Sequence, residues 1–79
     1  MPYIKVEDRT RAALDPHTEG ELNYAITMFI KNYLKRKEKV SYADYNGVIG
    51  VLECAKMELY RRLVAPYEEI KIKENTDVY

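Results

Sequence analysis

The sequence predicts an all-α fold: an antiparallel helical hairpin over about 19–37 and 42–65, with short segments flanking it at both ends. Three observations predict it. Apolar residues recur at three- and four-residue spacing through two long stretches. A hydroxyl residue followed three positions later by a carboxylate opens each stretch, Thr18 with Glu21 and Ser41 with Asp44. A short connection joins the two, and short connections return successive helices antiparallel.

Taken in order, MPYIKV alternates Tyr3 and Ile4 with polar neighbours too briefly for a strand and reads as an extended arm. Val6 to Leu14 suits a short helix with Asp8 near its start. Asp15-Pro16 ends it, because the residue before proline is pushed out of helical geometry. Thr18-Glu19-Gly20-Glu21 then fits a capping box, in which Thr18 accepts from a helical amide and Glu21 reaches back to the amide of the cap itself. The helix behind it shows Leu22, Ala25, Ile26, Phe29, Ile30, Tyr33 and Leu34 as one stripe. It runs out in Lys35-Arg36-Lys37, where cations meet the negative end of the helix dipole; a solvated last turn is the plain reading, a phosphate patch the sharper one.

Ser41-Tyr42-Ala43-Asp44 opens the longest run. Tyr45, Ile49, Leu52, Leu59 and Leu63 make its main stripe, widened by Val48, Ala55 and Tyr60. A competing reading takes Asn46-Gly47 as a hairpin turn between strands. The helical stripe continues past that dipeptide, and Gly47 and Gly50 lie three apart on one helical face, so helix is expected. A GxxG can clamp a nucleic-acid backbone, but no lysine or arginine adjoins this one. Close approach of another helix is the reading that fits. Pro66 lacks an amide and crowds the turn before it, so a kink or restart is expected there. A further short helix carries Tyr67, Ile70 and Ile72 before Asn75-Thr76-Asp77 breaks it. The chain closes on Val78 and Tyr79, two apolar residues expected to dock, on this chain or on a neighbouring subunit.

We therefore expect one helical domain over 1–79, with an arm and short helix at 1–17, the hairpin at 18–66 and a C-terminal segment at 67–79. Thirteen basic residues balance thirteen acidic ones. No global field favours nucleic acid or an anionic membrane. One cysteine and one histidine cannot build a disulfide framework or a Cys/His metal site in one chain. Cys54 reads as a small buried apolar group in a reducing compartment. No apolar run approaches the roughly 20 residues that span a bilayer, and MPYIKVEDR has no signal-peptide core, so a soluble, cytoplasmic protein is expected.

Self-association is expected from the long helix. Beyond its main stripe it carries Val51, Met57 and Val64 on other sides, together with Gly47 and Gly50. A hairpin covers only facing stripes, and the remaining surface calls for a second copy, or for the terminal segments to fold over it.

No catalytic constellation is present, and no cofactor or metal is expected. His17 sits in the polar loop DPHTEG without a nucleophile spaced to serve it, and Glu68 and Glu69, adjacent on a helix, diverge by about 100°. The best binding candidates are Lys56, Glu58, Tyr60, Arg61, Arg62 and Tyr67. Two arginines flanked by tyrosines combine forked donors for phosphate with flat faces for a base. The competing reading pairs Glu58 with Arg61 and Arg62, three and four residues on, as surface ion pairs. Eight tyrosines against one phenylalanine and no tryptophan also suit half-wet interfaces or a ligand-lined surface.

Over nearly its full length the chain resembles a family of short uncharacterised proteins of phages and prokaryotes. Those sequences start MPYIKxEDR, carry LNYxIT and SYAxxNxxIGVLECAKxExYRRxVAPYE, and end KIxENGDVY. This chain has MPYIKVEDR, Leu22 to Thr27, the whole middle motif and KIKENTDVY, departing at Thr76, where the family has glycine and a tight turn. In size and tyrosine–arginine content it is similar, at the level of architecture, to phage anti-defence sponges. Those small helical oligomers sequester cyclic nucleotides or cyclic ADP-ribose derivatives and so block CBASS or Thoeris immunity. The expectation is a non-enzymatic homo-oligomer that captures a nucleotide-like signalling molecule between subunits, Arg61 or Arg62 on phosphate and Tyr60 or Tyr67 on a base. The alternative is a helical protein–protein interaction module or adaptor without a small-molecule ligand.

Overall fold

The computed structural model describes all 79 residues, Met1–Tyr79, and every regular element in it is helical. A short 3-10 turn at Val6–Asp8 leads into α1, Arg9–Leu14; α2 spans Glu19–Lys35 and α3 Tyr42–Leu59. A π-helical segment, Tyr60–Val64, then joins α3 directly to α4, Ala65–Asn75. No helix is long and apolar enough to cross a membrane. The chain divides into two compact units, Met1–Asp44 and Tyr45–Tyr79.

In the first unit α1 packs on α2 through two small side chains, Ala12 at 0% exposure and Ala25 at 4%. Alanines let the helices approach closely but bury little apolar area. A charged cluster closes the contact instead. Arg11 donates from Nη1 and Nη2 to the two oxygens of Glu21, both at 2.8 Å, and the His17 backbone amide donates to Glu21 Oε1 at 2.9 Å. Glu21, only 8% exposed, therefore has its charge satisfied. This corrects one expectation. Thr18 does cap α2, accepting from the Glu21 amide at 3.1 Å. The Glu21 carboxylate, however, does not return to the cap's own amide, because the bidentate arginine from α1 is the stronger partner.

The arm packs against the start of α2. Arg9 Nε donates to the Ile4 carbonyl, and the Arg9 guanidinium lies 5.8 Å from the Tyr24 ring centroid. Gly20 permits the approach: a methyl there would stand 3.2 Å from the Met1 carbonyl oxygen. Much of the predicted α2 stripe stays in water, with Leu22, Ile26, Phe29 and Tyr33 all exposed. The helix ends two residues before the expected Lys37, whose ammonium instead reaches Asp44 at 3.6 Å and the Tyr33 ring at 5.7 Å. The second capping box forms in full. Ser41 N–H donates to Asp44 Oδ2 at 2.9 Å and Asp44 N–H donates back to Ser41 Oγ at 3.2 Å. Those Ser41 bonds, followed by Lys37, hold the Asp44 carboxyl below its ordinary range.

The second unit is one uninterrupted helical run. Asn46-Gly47 lies inside α3, so the strand reading is excluded. Pro66 does not break the run. Its ring crowds the carbonyl four residues back, that of Arg62, and it has no amide to offer that carbonyl. The turn before it widens, with the Ala65 amide donating five residues back to Tyr60, and the helix continues to Asn75. No residue of α3, the π segment or α4 is buried. Cys54 is exposed rather than buried, since nothing in the chain packs over its face. Val78 and Tyr79, expected to dock, are also fully exposed; the Tyr79 amide donates to Asp77 Oδ1 at 2.8 Å.

Thr76 ends α4 at φ 77°, ψ 139°, its amide donating to the Ile72 carbonyl at 2.8 Å. Thr76 thus places a β-branched residue in the left-hand half of backbone space, a strained choice. Thr76→Gly should stabilise the protein by roughly 1 kcal/mol, read as a higher urea midpoint; an unchanged or lower midpoint would contradict the strain.

Acid should loosen the first unit through Glu21. The Arg11 hydrogen bonds, followed by the His17 amide, lower its carboxyl from 4.5 to about 2. A depressed carboxyl contributes stability that is full above pH 4.5 and is lost as pH falls towards 2. Amide NMR of α1 and α2 should show that loss, and Glu21→Gln should be less stable at neutral pH and flatter across the window. An equally steep acid response in the variant would assign it to another group.

Candidate functional site

The predicted binding residues lie where α3 passes into the π segment, on one helical run inside the second unit. A wide turn at this point fans out successive side chains, and π segments inside helices frequently mark functional positions. Lys56, Met57, Glu58, Tyr60 and Arg61 line a hollow of ≈ 430 Å³. Its two cations are each held by a carboxylate one turn earlier. Lys56 Nζ lies 3.0 Å from Glu53 Oε1, and Arg61 Nη2 lies 3.0 Å from both oxygens of Glu58.

Of the six predicted binding residues, the structure brings Lys56, Glu58, Tyr60 and Arg61 together and leaves two apart. Arg62 and Tyr67 do not line this hollow. Arg62 is exposed and, unlike its neighbour, has no carboxylate in ion-pair range; of the two predicted Glu58 pairs only the one with Arg61 forms. Adjacent helical residues diverge, and one carboxylate cannot serve both guanidinium groups. The Tyr67 ring is covered by the Lys71 ammonium, 5.6 Å from its centroid, which leaves that face taken.

Tyr60 is the pivot of the region. Its hydroxyl donates to Glu68 Oε1 at 2.5 Å, eight residues on, tying the start of the π segment to α4. That bond pushes the phenol above its ordinary range, because ionising it would set a phenolate against a carboxylate. The ring lines the 430 Å³ hollow on one side. On the other it borders a second hollow of ≈ 500 Å³ between α4 and the turned-back tail, walled by Glu68, Ile72, Val78 and Tyr79 among others. Sequence reasoning did not find the Tyr60–Glu68 tie, because eight residues in a regular α-helix carry the chain past the matching face, and only the extra residue of the π turn brings the two together.

The residues expected at an oligomer interface are open. A side chain built at Gly47 or Gly50 would meet nothing within 4 Å, and Val51, Met57 and Val64 are exposed. No group of three or more His, Cys, Asp or Glu side chains is placed to hold a metal ion.

Glu68→Gln should let the Tyr60 phenol ionise at lower pH than in the parent protein, followed by NMR of the labelled tyrosine ring carbons. The same titration in both proteins would mean that the Tyr60–Glu68 bond is not kept in solution.

A model of a domain of unknown function, DUF6899, matches residues 1–78, and the chain belongs to that family. No curated protein and no solved structure matches it.

Proposed function

We propose that this chain is a non-enzymatic helical protein that assembles with copies of itself and captures a nucleotide-derived signalling molecule, of the cyclic-nucleotide or ADP-ribose kind, between subunits. The observation that carries the reading is the hollow at residues 56–61. It combines a guanidinium, an ammonium and a tyrosine ring, donors for phosphate beside a face for a base. A single helical run walls it, so a bound ligand needs an opposite wall from another chain. Arg62 and Tyr67, which lie outside the hollow, would serve such a ligand only from that opposite wall.

Self-association is supported by the surface that α3 and α4 leave in water. One stripe holds Tyr45, Ile49, Leu52 and Leu63; Val51, Met57 and Val64 lie on other sides, with Gly47 and Gly50 open for a closely approaching helix. Pairing of 19–37 with 42–65 as an antiparallel hairpin belongs to the same proposal, with copies covering what a hairpin leaves. Such an assembly would act by stoichiometric capture, as a phage anti-defence sponge does.

A second reading, an adaptor that binds another protein and no small molecule, draws on the ion pairs. Both cations of the hollow already carry carboxylates of their own helix.

Thermal-shift and calorimetric titration with a cyclic dinucleotide and with ADP-ribose separate the two. Capture predicts saturable binding by at least one, with Arg61→Ala losing most of it at unchanged assembly mass. No shift with either probe would remove the nucleotide reading in favour of the adaptor. Val51→Glu combined with Val64→Glu places charges on the proposed contact and should lower the mass in solution; an unchanged mass would put the interface elsewhere.

A further inference from the structure

Arg61 meets Glu58 in an unusual way for a forked donor. Both carboxylate oxygens sit 3.0 Å from the single nitrogen Nη2, so the guanidinium is held by one corner rather than along an edge. Its Nε and Nη1 donors have no partner in the chain, while the carboxylate occupies the corner of Arg61 that faces residue 58. Both residues line the 430 Å³ hollow, so the pair stands inside the candidate site and not on its rim. Lys56, the other cation of the hollow, has one carboxylate oxygen of Glu53 at 3.0 Å. Each cation therefore arrives with its counter-anion from the preceding helical turn, and the hollow is neutral until something displaces those carboxylates.

We infer that the Glu58 carboxylate is a built-in competitor that occupies the place of a ligand phosphate on Arg61, so that Glu58 sets the affinity of the site for phosphate-bearing ligands. The inference rests on the nucleotide reading of the same hollow and names its regulation. A phosphate entering beside Met57 and Tyr60 takes over Nη2 together with one of the unpartnered donors, Nε or Nη1, in a bidentate contact, and Glu58 swings into water. The exchange costs little, because both partners are largely exposed, at 66% and 62%, and an exposed ion pair is weak. A ligand with one weak negative charge gains less from this exchange than a doubly charged or paired phosphate. Selectivity of this kind needs no net basic charge, in keeping with a chain whose formal net charge is +0.

Calorimetric titration with a cyclic dinucleotide and with ADP-ribose tests this, using the full chain, Glu58→Gln and Glu74→Gln. Glu74 forms the matching exposed three-residue pair with Lys71, outside the hollow, so its variant makes the same change in net charge. Glu58→Gln should bind roughly two- to fivefold tighter than the parent, the range expected on removing an exposed competing pair, and Glu74→Gln should match the parent. Binding by the parent with Glu58→Gln no tighter than Glu74→Gln overturns this inference alone. Failure of all three proteins to bind either probe overturns the nucleotide reading and this inference with it.

Discussion

The helical run from Tyr42 to Asn75 has no interior of its own, and that constraint governs the rest of the structure. Isolated helices in water are marginal, and most helical stability in proteins comes from packing an apolar face. Here Ile49, Leu52, Leu63, Ile70 and several tyrosines lie exposed along the run. Fully burying one such side chain contributes about 1.5–3 kcal/mol, so the surface holds ample free energy for association and the run has reason to find a partner. Local devices fix where it begins and ends: the reciprocal Ser41–Asp44 box at one end and the Ile72–Thr76 hydrogen bond at the other.

The first unit solves a similar shortage differently. Its apolar interior amounts to Ala12 and Ala25, too little to order two helices by area alone. Arg11, Glu21 and the His17 amide supply the rest through directed, charge-assisted bonds. A buried carboxylate is tolerable only because both its oxygens accept hydrogen bonds, which makes α1, the loop and α2 interdependent.

What could be read in the sequence follows from range. Both caps were legible because Thr18 with Glu21 and Ser41 with Asp44 act within one turn, and so were the helices behind them. The partner of Glu21 was not, since Arg11 lies ten residues away across a loop and only tertiary packing joins them. Pro66 announced a disturbance without saying which; a π turn, a kink and a break all relieve the same clash. Within the candidate hollow, Lys56, Tyr60 and Arg61 lie together because one helical neighbourhood holds them, while Arg62 diverges from its neighbour Arg61 and the Tyr67 ring is covered by Lys71. Cys54 was misplaced indoors by its residue type, because burial statistics assume a partner surface that this chain does not itself provide.

The proposed function requires that the exposed helical face be completed by copies of the same chain, and that the candidate ligand hollow become a site only on that completion. The most direct measurement is the mass of the unmodified protein in solution, by size-exclusion chromatography with light scattering across a wide concentration range. The account predicts a defined multiple of the 9.3 kDa chain, persisting on dilution. A monodisperse 9.3 kDa monomer at all concentrations would contradict it.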